Sequence, residues 1–430
     1  MPDTPVRQFS NGSESPPMPN QRRIAVMMDL DKLFKNHVVV FAGIHRYAQE
    51  AGWQLILDDW ADRMLPTQAG ARPPYEGLIG RITTLGANRA RRLGIPVVNL
   101  HLNGPVAAQL PGVFNDHAEG GRVRAEHLLS RGFQNFGALI HGGDRGTVLE
   151  GDGFARTIAD AKGRMCGTVI LKPREPTRMG IGQTDVAEYE HWRQALRQID
   201  RWMDQWLLPI GITIYDVAIA RLVIERCRRR QWRVPEDVAI VAGYNEEVQC
   251  VLPEPTITSL DLPHERIGYE AAKMLDALIE QKHTGSAIRR GIPKGMDHPT
   301  TMLLPPVGVV ARQTTDFHAV DDPLVRRALG YIDTHIHQPI LIEDIAEHLN
   351  VSRATLTNRF RNKLGRTINK ELQRLRIERV KRELINGDKP IHQIAPATGF
   401  SSVRRLNEMF SRVVGCTPRA YRKRGKVASG

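Results

Sequence analysis

The 430-residue chain is 41 % hydrophobic and 25 % charged, enough apolar material for two or three soluble domains, which excludes a disordered or fibrous chain. No run approaches the ~18 apolar residues of a membrane span, and residues 1–21 form a polar tail rich in Pro and Ser without the apolar stretch of a secretion signal, so the expected location is the cytoplasm. The net charge of +13 sits in one place: residues 323–430 hold 22 Lys and Arg against 9 Asp and Glu, while the rest of the chain holds 38 of each.

A basic module on a neutral body points to a polyanionic partner, most simply nucleic acid. The four cysteines, Cys166, Cys227, Cys250 and Cys416, lie far apart with no C-x-x-C pair. Neither a disulfide framework nor a metal site is encoded, and no cofactor is expected.

In chain order, short β-branched runs alternate with helical stretches, the pattern of parallel sheets covered by helices. Strands are predicted over 24–28, 55–57, 77–82, 97–100, 136–140, 211–215 and 238–241. Helices are predicted over 38–51, 116–131, after Gly153, 192–206, 217–230 and 266–281, with 303–312 extended. That is too many strands for one small sheet, so residues 22–312 are read as two α/β lobes. Ligands of such sheets bind beyond the C-terminal strand ends, which nominates Asp29, Asp31, Arg81, Asp116, Asp216, Asn245 and Glu246. Asp, Asn and Arg there present paired hydrogen-bonding atoms to whatever ligand fills the cleft.

Residues 313–322 read as a linker. After it, Asp322-Pro323 gives a capping carboxylate with proline at the first helical position, and everything that follows is helical. Here the chain repeats itself at an offset of about fifty residues. Ile345-Ala346, Asn350-Val351-Ser352, Leu356 and Phe360 return as Ile394-Ala395, Gly399-Phe400-Ser401, Leu406 and Phe410. Asn350 and Gly399 tolerate the positive φ of a tight turn, and Ser352 and Ser401 or Ser402 can cap the helix after it. These are two helix-turn-helix units. With Leu356, Phe360, Leu406 and Phe410 inside, the outward residues are Arg353, Ala354, Thr357, Asn358 and Arg361 in the first unit. In the second they are Val403, Arg404, Asn407 and Glu408. Arg and Asn read purine edges, Glu accepts from cytosine, and Ala or Val meets the thymine methyl. Lys363, Arg366, Arg405 and Arg412 are placed for phosphates. The helix expected between the units, 367–384, would span ~27 Å, close to the ~34 Å of one DNA turn, so one chain could address two successive major grooves.

Residues 323–424 resemble the AraC-family DNA-binding domain, including the ending Phe410-Ser-Arg-Val-Val-Gly415-Cys-Thr417-Pro418-Arg-Ala-Tyr421-Arg422. They depart from it at Leu406, usually Phe, and at Pro396, usually a good helix former that proline would shorten or kink. The neutral body resembles the periplasmic-binding-protein-like sensor of lactose-repressor-type regulators. Its pointers are Asp116-His117, His127-Leu128-Leu129, Gly132, Val234-Pro235-Glu236-Asp237 through Gly243-Tyr244-Asn245, Leu304-Pro305-Pro306 and Arg312-Gln313-Thr314-Thr315-Asp316. A sensor first and a DNA-binding unit last resembles the xylose-operon activators.

The resemblance implies a sugar-responsive, sequence-specific regulator, an activator of genes for xylose or related sugar catabolism. Its partners would be operator DNA, a xylose-like effector, RNA polymerase and a second copy of the chain. The alternative is a regulator or repressor answering a different sugar or small ligand. Family position makes Asp216 and Asn245 the strongest sugar contacts. Where the family commonly carries a sugar-clamping arginine, this chain has Glu150. Against an enzyme, Gly180-Ile-Gly182 follows no strand, and no P-loop, H-E-x-x-H or G-x-S-x-G motif occurs. A periplasmic solute-binding protein would need a signal peptide, and a nucleoid-type protein would bind DNA without regard to sequence.

Overall fold

Short apolar segments make the strands here, and most are followed by a helix that covers the sheet. The computed structural model describes residues 21–30, 35–68, 70–171, 186–283, 300–320, 322–338, 340–386 and 389–427. The first lobe is built from β1 (Arg23–Met27), α1 (Lys35–Ala51), β2 (Gln54–Leu57), α2 (Ala61–Met64), β3 (Gly77–Gly80), α3 (Thr84–Leu93), β4 (Val97–Asn99) and β5 (Gly112–Asn115). The chain then crosses at Asp116 into the second lobe. That lobe comprises α4 (His117–Ser130), β6 (Asn135–His141), α5 (Arg145–Asp160), β7 (Arg164–Leu171), α6 (Val186–Met203), β8 (Ile210–Ile214), α7 (Val217–Arg229), β9 (Val238–Tyr244), α8 (Glu247–Val251) and β10 (Thr258–Asp261). It returns to the first lobe for α9 (His264–His283) and β11 (Thr301–Leu304), and crosses a third time to β12 (Gly308–Val310).

The described residues form two six-stranded sheets, ordered β11-β5-β4-β3-β1-β2 and β12-β10-β9-β8-β6-β7. All pairings are parallel except β10 with the edge strand β12. Apolar cores lie on both faces of each sheet. The extended run at 303–312 is therefore two strands, one in each lobe. The helix placed after Gly153 begins earlier, at Arg145, where the Asp144 carboxylate accepts from the Thr147 N–H. The glycines that suggested a break serve a close crossing instead. A Cβ on Gly121 of α4 would lie 1.9 Å from the Glu150 carbonyl oxygen, and one on Gly153 of α5 would lie 2.2 Å from that of Ala118.

The C-terminal part consists of α10 (Pro323–His335), α11 (Ile342–His348), α12 (Arg353–Leu364), α13 (Ile368–Asn386), α14 (Ile391–Ala397), α15 (Val403–Val414) and α16 (Pro418–Val427). Asp322 caps α10 ahead of Pro323, accepting from the N–H groups of Leu324 and Val325. α11-α12 and α14-α15 are the two helix-turn-helix units. Their turns pass through Asn350 at φ 54° and Gly399 at φ 80°. Ser352 and Ser402 cap the second helices through the N–H groups of Thr355 and Arg405. Pro396 shortens nothing: α14 has seven residues, as does α11. Each unit has its own core, and α13 contributes to both, Ile368 and Leu372 to the first and Ile377, Val380 and Leu384 to the second.

Two glycines on helices should respond oppositely to alanine. Gly330→Ala, in α10 with nothing within 4 Å of the added carbon, should stabilise by ~0.5–1 kcal/mol. Gly121→Ala should destabilise by ~1–3 kcal/mol or more through overpacking. Thermal unfolding measures both, and a Gly121→Ala protein melting like the parent would refute the close crossing.

Candidate ligand cleft and DNA interface

The C-terminal strand ends of the two lobes oppose one another. Asn103, in the loop after β4, accepts from the backbone N–H of Arg145 at the start of α5 (2.8 Å). On the first lobe's rim, the Asp29 carbonyl accepts from His37 Nδ1 (2.8 Å), and Arg81 is exposed just past β3. Asp31 lies outside the described residues. Burial, reinforced by the Arg81 guanidinium, holds His101 below the usual imidazole value. Burial also brings His264 down to about 4, with His37 adding to the effect. Both imidazoles are thus neutral at pH 7.

Asn115 Oδ1, at the end of β5, and His264 Nδ1, at the start of α9, are buried with no hydrogen-bond partner among the described residues. Such groups fit a ligand's hydroxyls, since leaving them unmatched is costly. Sequence reasoning missed both, along with His37, His101 and Asn103. An imidazole or amide at a strand end carries no pattern of its own.

On the second lobe, Asp216 and Asn245 follow β8 and β9 as expected, but both have structural work. Asp216 Oδ1 caps α7 through the Ile219 N–H (3.0 Å), as Asp116 caps α4 through that of Glu119 (3.0 Å). Asn245 Oδ1 accepts from Arg312 (2.7 Å), and Glu246 accepts from Gln249. Tyr215, beside Asp216, is half-buried with its ring edge-on to His141 at 5.4 Å, an apolar surface next to polar groups.

Glu150 does not offer its carboxylate to a ligand. It is 5 % exposed and accepts from His117 Nδ1 (2.8 Å) and the Tyr244 hydroxyl (3.2 Å), and it pairs with Arg124 (3.3 Å). Arg124, 1 % exposed, also donates to Thr213 Oγ1 and to the carbonyls of Ile214 and Gly243. The pair thus ties α4 and α5 to the ends of β8 and β9. Burial opposes ionisation of Glu150, but Arg124, His117 and Tyr244 outweigh it and hold its pKa below the ordinary value.

On the DNA side, Arg353, Ala354, Asn358, Arg361, Arg404 and Glu408 are exposed, and Thr357 and Asn407 are half-buried. Val403 differs from expectation: at the first position of α15 it is half-buried and packs against the second unit's core. Arg353 is bonded to Glu343 (2.7 Å) and Arg404 to Glu408 (2.8 Å), exposed pairs that add little and can open for a base. Lys363, Arg405 and Arg412 are exposed. Arg366 is not free for a phosphate, since it donates to Glu371 and to the Ser130 carbonyl.

Residues 345–424 match the helix-turn-helix domain family and residues 125–315 the periplasmic binding protein-like domain family. The chain is 23 % identical over 410 residues to the xylose operon regulatory protein of Escherichia coli K12, covering 94 % of this chain and 97 % of that one. It is 28 % identical over 407 residues to the protein of the same name from Haemophilus influenzae, covering 93 % and 98 %. A solved xylose-binding transcription activator superposes with a TM-score of 0.52 at 21 % identity, covering 94 % and 98 %. The architecture is therefore a two-lobed periplasmic-binding-protein-like α/β domain followed by a helical helix-turn-helix domain.

Because the folded pKa of Glu150 lies below the unfolded one of ~4.3, its stabilising contribution is complete above that pH and fades as pH falls through the folded value. Glu150→Gln should flatten this acid limb of the stability profile. Arg124→Met, which strands a buried carboxylate, should cost ~3–5 kcal/mol at neutral pH by denaturant titration. A loss below ~1 kcal/mol would fit an exposed pair instead.

Proposed function

We propose that this chain is a sugar-responsive, sequence-specific DNA-binding transcription regulator. The observation that carries the reading is the pairing of two helix-turn-helix units, each presenting Arg and Asn on an exposed helix, with a two-lobed cleft holding unmatched polar groups. Its relatives over nearly the whole chain are xylose operon regulatory proteins, which supports a regulator over an enzyme. Among the described residues no helix is long and apolar enough to cross a membrane.

The finer reading is an activator of xylose-type catabolic genes, acting in the cytoplasm as a homodimer that contacts RNA polymerase. The xylose operon regulatory proteins and the xylose-binding activator it resembles support the xylose part, and the duplicated DNA-binding units suit a duplicated operator. One observation favours a second reading, a different sugar or small ligand: Glu150 is consumed inside the second lobe, so the cleft has no arginine clamp from that position.

The base-reading set proposed is Arg353, Ala354, Thr357, Asn358, Arg361, Arg404, Asn407 and Glu408. The ligand set is Asp29, Arg81, Asn115, Asp116, Asp216, Asn245, Glu246 and His264. A thermal-shift panel of pentoses and hexoses tests the sensor, because a ligand bound only by the native state raises its apparent stability. No shift with any sugar would overturn that half of the reading. Asn358→Ala should lose ~1–3 kcal/mol on a selected operator and little on random duplex, whereas Lys363→Ala should weaken both alike. Equal losses on both DNAs for Asn358→Ala would remove it from the base readers.

A further inference from the structure

Charged side chains unused by the cleft or by the DNA-facing helices converge where the sensor meets the DNA-binding domain. α4 starts at the first crossing between lobes and ends at Ser130, whose carbonyl accepts from Arg366 (3.2 Å). Arg366 follows Gly365, the left-handed cap that closes the first recognition helix, α12. The same guanidinium donates to Glu371, a carboxylate only 1 % exposed that also accepts from Arg374 (2.7 Å).

The residue after Ser130 holds the segment leading into the DNA-binding domain. Arg131 Nε donates to the Thr315 carbonyl, and its own carbonyl accepts from the Ala319 N–H (2.7 Å). His127, one turn back, meets Thr315 Oγ1 (2.9 Å), and His318 bonds Asp333 of α10 (2.9 Å). Residues 313–320 are therefore stapled to the second lobe. Beside these contacts a cavity of about 340 Å³ separates α4 and β12 from α10 and α13.

We propose that Arg366 is a coupling residue, a clamp that makes the DNA-binding domain travel with the second lobe. Its bond to Ser130 joins the end of α4 to the step between α12 and α13. α4 itself is fixed in its lobe by Arg124 and by the Gly121 crossing, so rotation of the lobes carries the first recognition helix with it. The inference rests on the regulator reading and adds the place where the two functions meet. It replaces the phosphate contact expected of this arginine from the sequence.

The test is hydrogen exchange on the full chain, with and without a 40-bp random-sequence duplex at low salt. The parent is compared with Arg366→Met and with Arg366→Lys, which can keep the pair with Glu371 but cannot reach both acceptors. Without DNA, both variants should exchange at least about tenfold faster at residues 130–133 and 315–320, while α15 stays unchanged. With DNA, the parent should slow at 127–133 and the variants should not, as reciprocity between linked sites requires.

Acceleration confined to residues 364–372 would mean a local role and overturn the proposal. So would a loss of duplex affinity equal to that of Lys363→Met, since the arginine would then be serving a phosphate. A parent that binds duplex but shows no change in α4 sinks the coupling alone. One that binds no duplex removes the regulator reading and the coupling together.

Discussion

A guanidinium buried at the centre of the second lobe organises the sensor. Arg124 meets Glu150 across the α4-α5 crossing and donates to the strand ends from which Tyr215, Asp216 and Asn245 depart. A buried ion pair is justified only when its remaining hydrogen-bonding capacity is filled. Here His117, Tyr244, Thr213 and two carbonyls fill most of it, and among the described residues only Arg124 Nε of the pair is left without a partner. The helices can approach closely enough for that contact because Gly121 and Gly153 bring no side chain to the crossing. The loops that follow β8 and β9 thus hang from one electrostatic knot.

The distribution of charge has a second layer. The excess of basic residues in the last quarter of the chain is the expected signature of a polyanion partner, yet part of it is held in ion pairs within the protein. Arg359 holds the cap of α10 through Asp322, and Arg366 and Arg374 share Glu371. Net charge locates the DNA-binding domain correctly while overstating how many of its arginines are available to DNA.

The elements most legible in the sequence were those set by local chemistry. Asp322-Pro323, Asn350, Ser352 and Gly399 each announce a cap or turn that needs no tertiary context, and the fifty-residue repeat fixed the pairing of the helices. The two-lobed body was legible from its alternation of strand and helix. What escaped depends on contacts between segments distant in sequence. α5 was read too late because Gly151 and Gly153 look like a break, when Gly153 makes room for α4. β7 was missed because its Gly167 and its partly exposed edge position blur the apolar run. Of the strand-end acidic residues expected to line the cleft, Asp116 and Asp216 serve as helix caps. The unmatched atoms of Asn115 and His264 emerge only once three crossings bring them to the rim.

Those three crossings also govern how the protein is made. Neither lobe is a continuous stretch of chain: the first sheet lacks its edge until residues 301–304 exist, and the second until 308–310. During synthesis both halves of the sensor therefore reach completion almost together, a few residues before the basic domain begins. That domain is one unbroken segment of local helices, the kind that forms quickly. Every strand of both sheets has therefore been synthesised before the first residue of the operator-reading domain is added to the nascent chain.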